Sequence, residues 1–339
     1  MTWLRRAARQ AERKARWLAF GLMLASAPGS AAAPAAPVSL EGLRAVDLRL
    51  ATIGYRLATA NAALCDRLVP VPGLLLQSLG QFAPAGRAAA RAVYGFEAPI
   101  AVEAVVPGSA AAAAGVRAND SLLAIDGNAI SAPPGAGASS QGRDEVLAAI
   151  ASRPAERPLR LTLLHDGIRR EVTVAPSPGC PSSFEVLLGP AMTAHADGQL
   201  VQIGLPFLQR YGDDQLAAVV AHEFAHNVLR HRVRLKGAGV SRGMFAELGR
   251  SGRLVRLTED QADQLSVSLL YNAGLHPEAA VRFWREHGGD VDGGLLRSRT
   301  HAASGVRAKA IEAEIARIPG GAKRPYVPPV LATREQPLD

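Results

Sequence analysis

The sequence predicts an α+β protein, in which a mainly helical domain with a small sheet at its edge is interrupted by a β-rich module. Apolar residues recur every three or four positions from residue 40 onward, which predicts an amphipathic helix of about seven turns. Residues 93–176 instead hold short apolar runs separated by Gly, Pro and Asp, as expected for several strands. Helical periodicity returns after residue 213, so the helical domain is expected to continue beyond the module.

The composition favours a globular chain and argues against a nucleic-acid partner. Of the 339 residues, 48% are hydrophobic and 20% are charged, which is enough apolar material for a packed core. The net charge of +8 is concentrated in residues 1–16, which hold six basic side chains and one acidic side chain. The rest of the chain is only mildly basic, so we expect no binding to nucleic acid.

The amino terminus has the pattern of a secretory signal peptide over residues 1–32. Its basic segment is followed by an apolar run at residues 17–27, which is short for a membrane span, and then by small residues up to Ala32. An uncleaved anchor is the alternative. We therefore expect a periplasmic or secreted protein that meets the membrane only through this segment.

The remaining elements follow in chain order. Ser39 can cap the first helix of the helical domain, expected at residues 39–69. The module at residues 93–176 should contain four strands and a helix, at residues 100–106, 122–125, 159–164 and 168–174 and at residues 144–152, respectively. The helical domain should resume at residues 180–318, with a flexible tail at residues 319–339.

Cys65 and Cys180 are the only cysteines, and they are 115 residues apart. In an oxidising compartment, a pair of cysteines suggests one disulfide. The module between them is self-contained, so its ends should lie close together and a bridge there would tie the helical domain across the insertion. Two unrelated buried thiols are the alternative.

The module resembles a PDZ domain. The resemblance depends on Val-x-x-Val-Val-Pro-Gly-Ser-Ala at residues 102–110 and on the run at residues 114–127, Ala-Gly-Val-x-x-Asn-Asp-Ser-Leu-Leu-x-Ile-Asp-Gly. It implies that a peptide ligand adds to the sheet as an extra strand. The loop that would hold the peptide carboxylate matches Tyr94, Gly95 and Phe96, for which an ordinary turn with core aromatics is the alternative.

The strongest chemical signal is His222-Glu223-Phe-Ala-His226, within a helix expected from residue 213 to residue 231. Histidines four positions apart lie on one face of a helix and can share a Zn²⁺ ion. Glu223, beside them, can take a proton from the attacking water. His231 lies roughly 140° further round the same helix, which favours a surface or helix-end role for it.

A hydrolytic zinc site needs a third protein ligand, and Glu259 is the best candidate. Thr258 can cap a helix there, and Asp263 follows Glu259 on the same helix face. Asp263 can then accept an N–H from a ligand histidine and fix its tautomer.

These motifs resemble the HtpX/BepA-like gluzincin zinc metallopeptidase family. The matching residues are His222-Glu223-x-x-His226, Glu259-x-x-Ala262-Asp263, Ala273-Gly274-Leu-His-Pro277 with Phe283-Trp284, and Thr300-His301 followed by Arg307. The resemblance covers residues 183–318. It implies one Zn²⁺ held by His222, His226 and Glu259, with Glu223 as the general base and Asp263 orienting a ligand. His301 and Arg307 would lie near the metal, where Arg307 would stabilise an oxyanion or form a structural ion pair.

The leading functional hypothesis is therefore a zinc metalloendopeptidase that cleaves unfolded or misassembled envelope proteins in protein quality control. The strand expected at residues 199–205 could pair with an extended substrate as an edge strand. The alternative is a PDZ-bearing scaffold or chaperone whose zinc site is structural or self-inhibited, with His301 as a fourth ligand.

Overall fold

The computed structural model describes residues 39–240, 249–291 and 303–338. The predicted signal peptide and His301 lie outside these ranges. Within the described part of the chain, no helix combines the length and the apolar character that a bilayer span requires.

The first helix, α1 (Leu40–Ala60), begins as predicted, with the Ser39 hydroxyl accepting from the Gly42 N–H. Its buried face contributes Leu50, Ile53 and Leu57 to the main hydrophobic core. It is shorter than the predicted 39–69. The chain leaves the helix at Asn61, whose side-chain amide donates to the carbonyls of Leu57 and Leu269 and so ties the helix end to the core.

The inserted segment is built from eight strands and three helices. These are β1 (Val69–Val71), β2 (Leu74–Ser78), α2 (Arg87–Tyr94), β3 (Ile100–Val105), α3 (Ala110–Ala113), β4 (Ser121–Ile125), β5 (Asn128–Ala129), α4 (Gln141–Ala151), β6 (Leu159–His165), β7 (Ile168–Val174) and β8 (Ser177–Gly179). Six strands form one antiparallel sheet in the order β2-β3-β4-β6-β7, with β5 beside β4. The sheet thus begins at Leu74, before the predicted boundary at residue 93, because the short run Leu74–Ser78 pairs with β3.

The ends of the insertion meet in the two-stranded sheet of β1 and β8. The Cys65–Cys180 disulfide lies next to this sheet, with the two Cα atoms 5.6 Å apart. A Cβ on Gly179 would lie 2.6 Å from Val71 and 3.3 Å from the backbone of Ala58, so only glycine fits where the strand passes this close to α1. The insertion is therefore closed at its base by both backbone pairing and a covalent bond.

The second part of the helical domain has three strands and six helices. They are β9 (Ser183–Leu187), β10 (Ala194–Ala196), β11 (Leu200–Gly204), α5 (Leu205–Arg210), α6 (Asp213–Val228), α7 (His231–Gly237), α8 (Gly249–Asn272), α9 (Glu278–Val291) and α10 (Ser304–Ile315). Helix α6 runs through the centre, in contact with α8 and α9. Mixed helices and small sheets confirm the predicted α+β fold.

Two further expectations are changed by the structure. The predicted edge strand at residues 199–205 is β11, which lies between β10 and β9 and is therefore central. Residues 319–338 do not form the flexible tail that their Pro-rich composition suggested. Val330 and Leu338 are buried, and Arg334 donates to the carbonyl of Leu64, so this segment packs on the helical domain.

Candidate metal centre

Helix α6 presents His222 and His226 one turn apart. Asp213 and Asp214 lie in its first turn, where the positive end of the helix dipole favours negative charge. Almost every other side chain of the helix is buried, so packing on several sides fixes its position. The two Nε2 atoms of the histidines are 3.2 Å apart.

Glu259 on α8 completes a three-residue cluster with the two histidines. Its carboxylate oxygens lie 3.3 Å from Nε2 of His222 and 3.6 Å from Nε2 of His226. Ligands about 2.0–2.1 Å from a tetrahedral zinc ion are separated from each other by about 3.3 Å. The two imidazoles and the carboxylate therefore approach each other about as closely as the ligands of one zinc ion do, and one ligand atom from each residue lies within 4.8 Å of the other two.

Asp263, also on α8, holds His222 from behind. Nδ1 of His222 lies 2.9 Å from Oδ1 of Asp263, so the ring donates its Nδ1–H there and directs Nε2 to the metal centre. Arg307 donates from Nε and Nη2 to the two oxygens of Asp263, at 2.7 and 2.6 Å, and stacks over the Trp284 ring. Burial opposes ionisation of Asp263, but Arg307 and His222 keep its pKa below the ordinary value.

Arg307 is thus engaged in a buried ion pair, the second of the two roles considered for it. It is only 3% exposed, and two of its three nitrogens donate to Asp263. Its side chain also lines the pocket beside the metal centre.

His231 has a different place from the one expected. The helix that contains the ligands breaks at Arg230, which has a left-handed φ of 54°, and α7 starts at His231. The break turns His231 inward, where it is 1% exposed and its Nδ1 lies 2.9 Å from Nδ1 of His226. The surface or helix-end prediction for His231 was wrong because it assumed that the helix continues without interruption.

The three neighbouring histidines differ widely in pKa. Burial alone would lower the pKa of His222, but its hydrogen bonds to Asp263 and Glu259 raise it to about 10. Burial lowers the pKa of His226 to about 4 and that of His231 to about 2. A positive charge is therefore favoured on His222, which faces the carboxylates, whereas His231 is neutral at physiological pH.

A pocket of about 260 Å³ opens beside the two residues His222 and Glu223. Half-buried Glu223 lines it together with a set of mostly apolar side chains, Met192, Thr193, Ala194, Phe207, Ala218, Val219, Phe283 and Trp284. The pocket thus leaves the general-base candidate and one metal-ligand candidate accessible from the same opening.

Strand β10 is the edge strand at this pocket. Gly204 N–H donates to the Thr193 carbonyl and Asp197 N–H to the Leu200 carbonyl, so residues 193, 195 and 197 face β11. The backbone N–H and C=O groups of Ala194 and Ala196 consequently point away from the sheet. The edge that the sequence placed at residues 199–205 is instead this short strand, whose small residues gave no strand pattern.

Tyr94 and Phe96 do not line a peptide site. Both are buried and pack with Phe82, and the Tyr94 hydroxyl donates to the carbonyl of Leu40. Gly95 ends α2 in the left-handed conformation, with φ of 64°. These three residues thus form the turn with core aromatics that was the alternative interpretation.

Comparison with known families gives two matches. Residues 101–163 match the model of the PDZ domain, and residues 159–251 match the model of peptidase family M48. Both parts of the resemblance drawn from the sequence are confirmed, and the second match supports a metallopeptidase. The matched M48 segment includes His222, Glu223 and His226, whereas Glu259 lies beyond its end. A search of curated proteins gives no match.

Proposed function

We propose that this chain, which carries a metallopeptidase segment of family M48 and a PDZ domain, is a zinc-dependent endopeptidase. The observation that carries the proposal is the close approach of the two imidazoles and the Glu259 carboxylate, at 3.2 to 3.6 Å, with Glu223 beside them at an open pocket. Two imidazoles and a carboxylate form the donor set of hydrolytic zinc sites with three protein ligands.

The residues of the site have separate roles in peptide hydrolysis. His222, His226 and Glu259 would hold the cation, and a zinc ion supplies Lewis acidity there. Glu223 accepts a proton from the attacking water and delivers it to the leaving amine. Asp263 keeps His222 in the tautomer that ligation requires, and Arg307 keeps Asp263 ionised.

The substrate would be an extended polypeptide that pairs with β10. The outward backbone groups of Ala194 and Ala196 offer hydrogen bonds to a strand of any sequence. A segment must be unfolded before it can add to an edge strand, so unfolded or misassembled proteins are the expected substrates. Two features support action on exported or envelope proteins: the signal-like pattern of residues 1–32 and the Cys65–Cys180 disulfide, a bond that persists in oxidising compartments.

A second peptide site is proposed on the inserted sheet, at the free edge of β2. Val106 N–H donates to the Gly73 carbonyl and Leu79 N–H to the Pro99 carbonyl, so the backbone groups of Leu74 and Leu76 point away from β3. This edge lines a cavity of about 540 Å³ shared with α4 and α1. The cavity is the place where an unfolded substrate would be held while another segment reaches the metal centre.

The test of the peptidase function is Glu223→Gln. The variant should bind zinc as the unchanged protein does but cleave reduced casein about 10²–10⁴ times more slowly, because the general base is lost. Glu278→Gln, at an exposed position on α9, is the matched control and should cleave normally. Zinc content and cleavage are measured together, with a chelator as the negative control. Full activity of Glu223→Gln would overturn the mechanism.

The same experiment addresses the scaffold or chaperone alternative. A structural zinc site has four protein ligands, whereas the described residues bring three together. If the wild-type protein binds one zinc ion per chain but cleaves nothing, the scaffold or chaperone function would be favoured.

A further inference from the structure

The second metal-ligand candidate, His226, has an unusual partner behind it. Its Nε2 faces the centre, 3.2 Å from Nε2 of His222 and 3.6 Å from Glu259. Its other nitrogen, Nδ1, lies 2.9 Å from Nδ1 of His231. Two nitrogens at this distance share one proton, so one ring donates and the other accepts.

The surroundings of His231 decide the direction of that hydrogen bond. Nε2 of His231 lies 3.2 Å from Oε1 of Gln261, and the same oxygen accepts from Arg234 at 2.9 Å. An atom that accepts from a guanidinium is an oxygen, so His231 must carry its proton on Nε2. A buried, neutral His231 then has a lone pair on Nδ1 and accepts from Nδ1–H of His226.

We infer that His231 is a positioning residue for His226: it fixes the ring orientation and the tautomer that leaves Nε2 free for the metal. The inference rests on the proposed zinc function. Asp263 fixes the orientation and tautomer of His222 in the same way. The two candidate ligands therefore differ in their hydrogen-bond acceptor, which is a charged carboxylate for His222 and a neutral imidazole for His226. A neutral support for His226 adds no further negative charge to a centre that already contains Glu259 and Asp263.

The fold delivers this support through two local features. The left-handed turn at Arg230 brings His231 back beside His226, only five residues later in the chain. Helix α8 contributes Gln261 between Glu259 and Asp263, so one short stretch of helix supplies a candidate ligand, the support of His222 and the residue that fixes the tautomer of His231.

The experiment compares two substitutions that differ in the acceptor they leave. His231→Asn keeps a hydrogen-bond acceptor close to the position of Nδ1, whereas His231→Phe keeps the ring shape without an acceptor. We expect His231→Phe to lower zinc affinity about 10–100-fold, as for other supports of ligand histidines, and His231→Asn to recover most of that loss. Affinity is measured by competition with a chromophoric chelator. The visible spectrum of the Co²⁺-substituted protein reports ligand geometry, and it should change for His231→Phe only.

Each outcome has a separate meaning. Thermal unfolding of the metal-free variants checks that they fold. If His231→Phe does not fold, Gln261→Leu takes its place, because it leaves the His231 ring but removes the oxygen that fixes its tautomer, and zinc affinity should fall several-fold. Unchanged zinc affinity and an unchanged Co²⁺ spectrum in the folded variants would overturn the positioning role. If the unchanged protein binds no zinc through His222 and His226, the proposed function itself fails.

Discussion

The metal centre and the junction between α1 and the inserted sheet both bury carboxyl groups, but they treat the charge in opposite ways. At the centre, Asp263 is ionised and bonded twice by Arg307. At the junction, Asp47 of α1 meets Glu103 of β3, and the neutral amide of Gln77 donates to Glu103 at 3.0 Å. Buried charge is stabilised in the first region and suppressed in the second.

The suppression at the junction takes the form of a retained proton. Burial raises the pKa of Glu103 to about 8 and that of Asp47 to about 6, and the nearby Arg143 only partly offsets this for Asp47. Glu103 Oε1 meets no donor among the described side chains, so a proton on one carboxyl is what joins the pair. The comparison indicates that the ionised Asp263 keeps a candidate ligand in place at the centre, whereas the stability that the junction contributes depends on pH.

The largest effect is expected from Asp263→Asn, which breaks the charged side of the comparison. Arg307 would keep its charge in a buried site without its carboxylate partner, which costs about 3–5 kcal/mol of unfolding free energy. Zinc affinity should fall about 10–100-fold as well, because the acceptor of the His222 Nδ1–H loses its negative charge. Denaturant unfolding of the metal-free protein measures the first effect and chelator competition the second.

Two controls sharpen that result. Asp166 lies in an exposed hairpin turn, so Asp166→Asn should change neither the unfolding free energy nor the zinc affinity. Adding Arg307→Met to Asp263→Asn removes the stranded charge and should recover part of the stability, but not the zinc affinity. If Asp263→Asn alone unfolds with the same free energy as the wild-type protein, the ion pair does not contribute to the stability of the fold.

A smaller effect, of opposite sign, is expected from Glu103→Gln at the junction. Because the pKa of Glu103 is higher in the folded state than its ordinary 4.5, the folded protein binds more protons and its stability falls as pH rises from about 4.5 to about 8. The amide removes this dependence. At pH 5 the variant and the wild-type protein should have similar unfolding free energies. At pH 8 the variant should be the more stable of the two, by at least about 1 kcal/mol.

Unfolding free energies across this pH range, taken as differences between the two proteins, test the prediction. Glu171→Gln, at an exposed position on β7, provides the control for removal of one carboxylate. A difference that stays constant with pH would refute the shared proton.

The sequence predicted those features that depend on a local pattern, such as the spacing of residues along one helix. His222, Glu223 and His226 follow from helical spacing alone, and Glu259 with Asp263 from the same rule on the next long helix. These residues are also the ones that the structure brings together.

The sequence could not predict features that depend on tertiary pairing. His231 was missed because a left-handed Arg230, with no glycine to signal it, breaks the helix. Strands β10 and β2 were missed because strands of three and five residues exist only through pairing with their neighbours. The Asp47–Glu103 pair joins residues 56 positions apart on separate elements, which no local pattern records.

The smallest effect is expected from Leu147→Asp on α4, which tests the cavity beside β2 against the pocket at the metal centre. Leu147 is half-buried and lines that cavity, so a carboxylate there should weaken the binding of an extended apolar segment. We expect KM for reduced casein to rise several-fold with kcat unchanged, because the chemistry lies at the other site. A short reporter peptide that reaches only the metal centre should be cleaved as before. Ala149→Asp, exposed on the same helix, is the control. An unchanged KM for casein with Leu147→Asp would mean that substrates are held by β10 alone.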